Sequence, residues 1–290
     1  MSGTTRIDIL CDGDEKIGFG HVRRAQALAA QLMRHGMLVR VTGSSLLSGA
    51  MLPVVAEDDS VPTITIFDSP LNIDEKMTSC ATKGQLTIAL DYFGEALPDV
   101  NIAVFAHKAV RAKRFARVGF EYILIRDEIS DLRTRTFSGR TDRVMVMVGG
   151  GDVLGQGHLA AHALEQAGCT VTLIQGPYAV IQQQRSDYKV CVNPSNLPEL
   201  FAESDWAVTS GGVSLFEGLC LGKAVHVLPQ TKAEERIARY VDSQVGLLGI
   251  GLDSLRAYSV KEVVKVADKG PHLVDGLGAQ RVSKIVRSLL

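Results

Sequence analysis

Ile9-Leu-Cys-Asp-Gly-Asp-Glu-Lys-Ile-Gly-Phe-Gly-His21 is the stretch on which the fold turns. Ile7, Ile9 and Leu10 read as an apolar strand, and Asp12, Gly18 and Gly20 as the loop after it. Val22 to Met33, rich in Ala and Leu, reads as a helix that begins beside His21. Strand, glycine loop, helix is the layout that aims backbone N–H groups and a positive helix end at a bound anion. A histidine at the helix start is a group whose proton moves near neutral pH. The stretch therefore points to a phosphate-bearing ligand with an acid–base residue beside it. A helix-start histidine bonded only to backbone is the plainer alternative. The spacing does not fit a dinucleotide fingerprint: Arg23 stands where G-x-G-x-x-G needs a third glycine, and a nicotinamide or flavin enzyme is disfavoured.

Outward from this stretch, short β-branched runs alternate with helical patterns. Ile7–Leu10, Leu38–Thr42, Thr63–Phe67, Thr87–Leu90 and Asn101–Phe105 read as strands of a first sheet. Val22–His35 reads as a helix stopped by Gly36, and Asn72–Lys83 as one capped by Asn72 and stopped by Gly84. The polar run Asp131–Asp142 reads as a linker, and a solvated loop or helix face explains the basic run Arg111–Arg117 at least as well as an anion site. A second alternation follows. Arg143–Val148, Thr170–Gln175, Lys189–Val192, Trp206–Thr209 and Ala224–Leu228 read as strands. Gly157–Gln166, Asn196–Glu203, Leu215–Leu221, Ala233–Ser243 and Leu277–Leu290 read as helices. Strands this short and apolar, each separated by a helix, belong to parallel sheets with both faces covered. The expected fold is α/β, with two Rossmann-like domains, 1–137 and 138–290, facing a central cleft. The last helix is placed to pack back on the N-terminal domain.

Composition narrows the class. The chain has 290 residues, 46% apolar and 22% charged, with a formal net charge of -1. That balance suits a globular protein and offers no electrostatic footprint for nucleic acid or an anionic membrane. Cys11, Cys80, Cys169, Cys191 and Cys220 are dispersed without C-x-x-C spacing, which reads as reduced thiols and not as a disulfide framework or zinc site. The N-terminus lacks a signal-peptide core, and no apolar run approaches the roughly 18–20 residues that span a bilayer. The expected location is cytoplasmic, with no metal, no cofactor and no integral membrane segment.

The C-terminal half carries two further glycine loops. Gly149-Gly-Gly-Asp152 follows the strand Val144-Met-Val-Met-Val148 and reads either as a phosphate nest or as a tight turn into a helix. Val208-Thr-Ser-Gly-Gly-Val-Ser-Leu-Phe-Glu217 again runs strand, Ser-Gly-Gly, helix. Glu217 there either caps the helix start or accepts hydrogen bonds from the vicinal hydroxyls of a ribose. Two such loops with an acidic residue point to a nucleotide. No G-K-[ST] follows, so ATP hydrolysis is disfavoured.

Together these motifs resemble a known family. Ile17-Gly-Phe-Gly-His21 with Asp12 upstream, Gly149-Gly-Gly-Asp152, and Ser210-Gly-Gly-Val-Ser-Leu-Phe-Glu217 look like the pseudaminic acid pathway hydrolases, the PseG family. Val118-Gly-Phe-Glu-Tyr-Ile-Leu-Ile-Arg-Asp-Glu128 is similar to that family's G-x-x-Y-x-x-[IL]-R-x-E segment. The spore-coat polysaccharide proteins and, more distantly, the lipid II glucosaminyltransferase MurG are related groups. The resemblance implies a GT-B fold with the nucleotide on the C-terminal domain and the sugar on the N-terminal one. It implies that His21 activates water, assisted by Asp12, while Gly18, Gly20 and Asp68 line the sugar and diphosphate side. Gly150, Ser210, Gly211, Gly212 and Glu217 would hold UDP, and Gln230 would sit near the sugar or phosphates. Two departures fall on the sugar side. Phe67-Asp-Ser-Pro-Leu71 replaces the family's Asp-x-Tyr-Gly strand end, keeping Asp68 but losing the aromatic neighbour, and Leu10 replaces an arginine.

The implied reaction is metal-independent, inverting hydrolysis of a UDP-activated amino-deoxy sugar, UDP-2,4-diacetamido-2,4,6-trideoxy-β-L-altropyranose or a close analogue. The implied partners are that UDP-sugar and other enzymes of a surface-glycan pathway. A diphosphate leaves readily, so the paired carboxylates of ordinary glycosidases are not required. Backbone donors stabilise the departing charge, and a positioned base contributes roughly 10²–10⁴-fold. The alternative on the same scaffold is a glycosyltransferase, with a sugar or lipid hydroxyl in place of water. A nucleotide-sugar binder without catalysis is the third reading.

Overall fold

The computed structural model describes residues 6–13, 18–43, 62–133, 139–152, 154–176 and 187–290. Ile17 of the His21 motif, positions 134–138 of the polar run and the first five residues lie outside the described residues. The chain forms two compact units, Met1–Arg126 with Gly276–Leu290, and Asp127–Asp275.

In the first unit β1 (Arg6–Cys11), β2 (Leu38–Thr42), β3 (Ile64–Asp68), β4 (Leu86–Leu90), β5 (Val100–Ala103) and β6 (Phe115–Val118) make one parallel sheet. Its order is β2-β1-β3-β4-β5-β6. The central pair β1–β3 brings Ile7 beside Ile64 and Ile9 beside Ile66, all fully buried, as β-branched residues in a covered parallel sheet should be. Helix α1 (Gly20–Arg34) buries Val22, Ala25, Leu28, Ala29 and Leu32, a stripe of helical period. This stripe shares a core with Ala279, Val282 and Val286 of the C-terminal helix Gly278–Arg287. Each fully buried leucine there contributes about 2 kcal/mol of apolar burial.

The glycine stops form as the sequence indicates. Gly36 adopts φ +77°, Met37 N–H reaches the Leu32 carbonyl at 3.3 Å and Gly36 N–H that of Met33 at 2.9 Å, so the last carbonyls of α1 are satisfied. Gly84 closes α2 (Asp74–Thr82) in the same way. Asn72 acts one residue ahead of the expected place. Ile73 occupies the cap position, and the Asn72 side chain accepts the Asp74 N–H at 3.0 Å. The basic run Arg111–Arg117 requires a correction: its end is the edge strand β6, with Phe115 paired to Val100. An edge strand needs only one partner and tolerates charge; the Arg117 guanidinium covers the Phe115 ring at 4.8 Å.

In the second unit the chain runs through α3 (Asp127–Ser130), β7 (Arg143–Met147), α4 (Gln156–Gln166), β8 (Thr170–Gln175), β9 (Lys189–Val192), α5 (Leu197–Glu203) and β10 (Trp206–Thr209). It continues through α6 (Val213–Cys220), β11 (Ala224–Val227), α7 (Lys232–Val245), β12 (Gly249–Ile250), α8 (Val260–Ala267) and α9 (Gly270–Leu273). The strands form a second parallel sheet, ordered β12-β11-β10-β7-β8-β9. Val144, Val146, Val208 and the fully buried Trp206 centre its core, and Trp206 meets Tyr258 edge-on at 5.1 Å. Helix α8 is an addition to the sequence reading. It starts at a capping box in which Ser259 and Glu262 satisfy each other's backbone N–H groups.

Both sheets reverse their direction of growth at one point, between β1 and β3 and between β7 and β10. Such switch points are where open α/β sheets take ligands, off the carboxyl ends of the strands. The His21 loop and Asp68 flank the first; the two C-terminal glycine loops flank the second. Among the described residues no helix is long and apolar enough to cross a membrane.

Candidate active site

At the first switch point the parallel register sets Cys11 beside Asp68, so the carboxyl ends of β1 and β3 reach the same edge. Asp12 follows β1 and is 1% exposed; its carboxylate accepts a hydrogen bond from the Ser69 hydroxyl at 2.6 Å. The serine in Phe67-Asp-Ser-Pro, one of the family departures, therefore holds Asp12. Gly20 is the first residue of α1 and His21 the second. Gly18 precedes them at φ +77°. Phe19 occupies the cap position and makes no side-chain capping bond.

His21 is the group these elements aim. Its Nδ1 lies 2.7 Å from Asp68 Oδ1, with a quarter of the imidazole exposed and the carboxylate fully buried. One turn further along α1, Arg24 donates from Nε to Asp68 Oδ2 at 3.1 Å and from a terminal nitrogen to Oδ1. Its other terminal nitrogen donates to Asp91 Oδ2 at 2.6 Å. Burial alone would push the Asp68 carboxyl up, but the charges and hydrogen bonds of Arg24 and His21 outweigh it and hold it down at about 2. Burial and the neighbouring carboxylates Asp68 and Asp12 push the Cys11 thiol up to about 12, so it stays neutral.

Arg24, Asp91 and Ser69 are site residues that the sequence reading missed. The spacing His21-x-x-Arg24 was available as a signal, because residues three apart share a helix face. Beyond Asp91 the chain continues as Tyr92-Phe93-Gly94. The aromatic neighbours absent after Asp68 thus stand after the adjoining strand β4. The Tyr92 hydroxyl donates to Asp74, and Phe93 packs on His107 at 4.1 Å.

At the second switch point three loops are knitted together. A side-chain atom added at Gly149 would lie 3.8 Å from Ser210 Oγ, and the Gly150 carbonyl backs directly onto Gly176. Gln230 accepts the Leu154 N–H at 3.0 Å and donates to Gln156 Oε1 at 3.3 Å, tying the loop after β11 to the loop after β7. Glu217 is buried on α6. Gly149–Asp152 leads from β7 toward α4. Asp152 itself accepts the Gln156 and Gly157 N–H groups, each at 2.8 Å, so the start of α4 is filled by the chain's own carboxylate.

The Ser210-Gly-Gly loop differs. The cap residue of α6 is Gly212, which has no side chain to cap the helix start; the Glu234 carboxylate lies beside it. Gly211 is pressed against α7, where an added Cβ would meet the Glu234 carbonyl at 2.5 Å. Glu234 is a further residue the sequence reading missed. Its carboxylate accepts the Gln230 N–H at 2.7 Å, and burial pushes it above the usual carboxylate range against hydrogen bonds from Gln230, Ser210 and Thr231. Thr231-x-x-Glu234 is a helix-start signal visible in the sequence. Among the described residues no group of three or more His, Cys, Asp or Glu side chains is placed to hold a metal ion.

No family model matches the chain. The spore coat polysaccharide biosynthesis protein SpsG of Bacillus subtilis (strain 168) is 27% identical over 119 residues, covering 37% of this chain and 35% of that protein. An uncharacterized protein of Methanocaldococcus jannaschii is 23% identical over 279 residues, covering 79% of this chain and 56% of its own. The chain thus spans no more than about half the length of these curated relatives. Among solved structures, Acinetobacter baumannii MurG superposes with a TM-score of 0.66 at 12% identity, covering 98% of this chain and 99% of that one. CalG4, the calicheamicin glycosyltransferase, gives 0.61 at 14%, covering 99% and 98%. The Staphylococcus aureus MnaA–UDP structure gives 0.63 at 8%, covering 99% and 97%. The class is therefore defined by fold: an α/β chain of two Rossmann-like units, of GT-B type.

Proposed function

We propose that the chain is an enzyme of nucleotide-activated sugars that moves a glycosyl group from a UDP-sugar to a hydroxyl, with His21 as the base. The observation that carries this reading is the His21–Asp68 pair. An ionised carboxylate only accepts hydrogen bonds, so the ring proton belongs on Nδ1 and the lone pair of the neutral imidazole on Nε2. Nε2 takes the proton of the attacking hydroxyl as the bond from the anomeric carbon to the diphosphate breaks. The attack comes from the face opposite the leaving group and inverts that carbon. In this reading Gly18, Gly20, Asp12 and Asp68 serve the sugar side. The start of α6, with Ser210, Gly211 and Gly212, receives the negative charge of the departing UDP, as helix starts do. Gly150, Glu217 and Gln230 complete the nucleotide site. The shared fold with a calicheamicin glycosyltransferase and with a UDP-bound protein supports both the transfer and the nucleotide. The match to a spore coat polysaccharide biosynthesis protein supports a role in surface glycans.

Hydrolysis is the second reading, favoured by the likeness of Ile17–His21 and Val118–Glu128 to the pseudaminic pathway hydrolases. The same base then deprotonates water. The test is to incubate purified protein with a panel of UDP-sugars, including 2,4-diacetamido-trideoxy hexoses, with and without hydroxyl acceptors, and to measure UDP. Release only with an acceptor supports transfer; release in buffer alone establishes hydrolysis. Absence of both UDP release and UDP-sugar binding overturns the proposal.

A further inference from the structure

We infer that Arg24 is a positioning residue that sets the protonation equilibrium of the His21–Asp68 pair, with Asp91 as its anchor on the neighbouring strand. The inference rests on the base role proposed for His21.

The geometry is specific. Arg24 and His21 Nδ1 donate to the same oxygen of Asp68. Nε of Arg24 takes the second oxygen of Asp68 and Nη1 takes Asp91, so the planar guanidinium is fixed by three bonds to two carboxylates on two strand ends. Asp91 is itself built in. It holds φ +49°, a left-handed conformation uncommon for a non-glycine residue, and its other oxygen accepts the Val104 N–H at 2.7 Å. A lysine keeps the charge but cannot reproduce this fork.

A carboxylate against a histidine does two things: it orients the ring, and it favours the protonated ring, which is useless as a base. A fixed cation on the same carboxylate opposes the second effect and leaves the first intact. Asp91 moderates that cation from the far side. Among the described residues, the other titratable groups beside the pair, Cys11 and Asp12, lie at the end of β1. Asp12 is engaged by Ser69 and Cys11 is a neutral thiol, so Arg24 supplies the positive charge bonded to Asp68.

The experiment follows the imidazole titration of His21 by NMR in the full-length chain, assigned by the signal that His21→Gln removes from the 7 histidines. Arg24→Gln raises the midpoint by about one pH unit, a tenfold rise in proton affinity, as expected for loss of an adjacent opposing charge. Asp91→Asn lowers it by a few tenths, because Arg24 then acts uncompensated. Arg24→Lys keeps the midpoint within a few tenths but weakens the preference for the Nδ1–H tautomer. Opposite signs for Arg24→Gln and Asp91→Asn are the signature, since a merely structural role moves both the same way or neither. An unmoved midpoint in Arg24→Gln, or an upward shift in Asp91→Asn, overturns the inference. If Arg24→Gln does not fold, the near-isosteric Asp91→Asn decides alone. The readout needs no turnover: shifts of the expected sign with turnover unaffected by His21→Gln would remove the base role and leave the electrostatic one.

Discussion

His21 Nδ1 lies 2.7 Å from Asp68 Oδ1, joining the start of the first helix to the end of a strand 47 residues away. This one bond fixes the tautomer of the ring. His21→Gln is expected to lower turnover by roughly 10²–10⁴-fold while UDP affinity stays within about twofold. Asp68→Asn is expected to cost a similar factor, because an amide donating to Nδ1 drives the ring proton onto Nε2. Steady-state kinetics beside calorimetric UDP binding check both. Wild-type turnover in Asp68→Asn would remove the pair from the chemistry.

Asp68 also links stability to acid. Its carboxyl sits at about 2 in the folded chain against an ordinary 3.8, so the folded state holds fewer protons between those values. The stabilisation is fully present above 3.8 and is lost as pH falls through about 2. It amounts to about 2 kcal/mol, at 1.36 kcal/mol per pH unit. Hydrogen exchange of first-unit peptides between pH 4 and 2 should show opening that steepens in the wild type and stays flat in Asp68→Asn. Equal slopes would place the acid sensitivity elsewhere.

The sequence made the backbone plan legible because that plan is local. Ile7, Ile9, Ile64 and Ile66 mark covered strands by type, Val22 to Leu32 by period, and Gly36 and Gly84 by the conformation a helix end demands. His21, Asp12 and Asp68 were legible as candidates because a motif carries them. Arg24 was not, since its bonds to Asp68 and Asp91 span 44 and 67 residues and exist only once β1, β3 and β4 are in register. Nor was the filling of the α4 start by Asp152: Gly149-Gly-Gly-Asp152 reads equally as a nest for an anion and as a turn that supplies its own. The edge strand β6 escaped because Phe115-Ala-Arg-Val118 is only 4 residues long and closes a basic run.

Gly211 tests the Ser210-Gly-Gly loop by crowding. An added methyl would stand 2.5 Å from the Glu234 backbone carbonyl, which cannot swing aside as a side chain does. Gly211→Ala should therefore cost about 1–3 kcal/mol, the usual range for overpacking, and should weaken UDP binding about tenfold or more. Gly212→Ala meets Glu234 Oε1 at 3.3 Å and Ser210 Oγ at 3.7 Å, both side-chain atoms and the nearer the movable end of its side chain, and should be milder. Urea midpoints and UDP titrations of the two variants check this order. Equal UDP affinity in both variants and the wild type would take the loop out of the nucleotide site.

His226 gives the second unit a separate acid response. Its ring is fully buried on β11, with Nε2 donating to the Gly251 carbonyl at 2.9 Å and Nδ1 lying 2.7 Å from the Tyr258 hydroxyl, which donates to the Ser254 carbonyl at 3.2 Å. Burial lowers it to about 4 from 6.5, against the opposing Gly251 bond. The unfolded chain therefore binds the extra proton between pH 6.5 and 4. Stability is complete above 6.5 and falls as pH drops toward 4, by about 3 kcal/mol in all. This window lies above that of Asp68, so the two units respond to acid in sequence. The chain's 1 tryptophan, Trp206, packs edge-on against Tyr258 and reports on this unit directly. Urea unfolding followed by tryptophan fluorescence should show a midpoint that drops from pH 7 to pH 4.5 in the wild type. In His226→Gln, which keeps a donor and an acceptor without a titrating group, the midpoint should be lower at pH 7 but nearly constant with pH. A parallel fall in both proteins would assign the response to other groups.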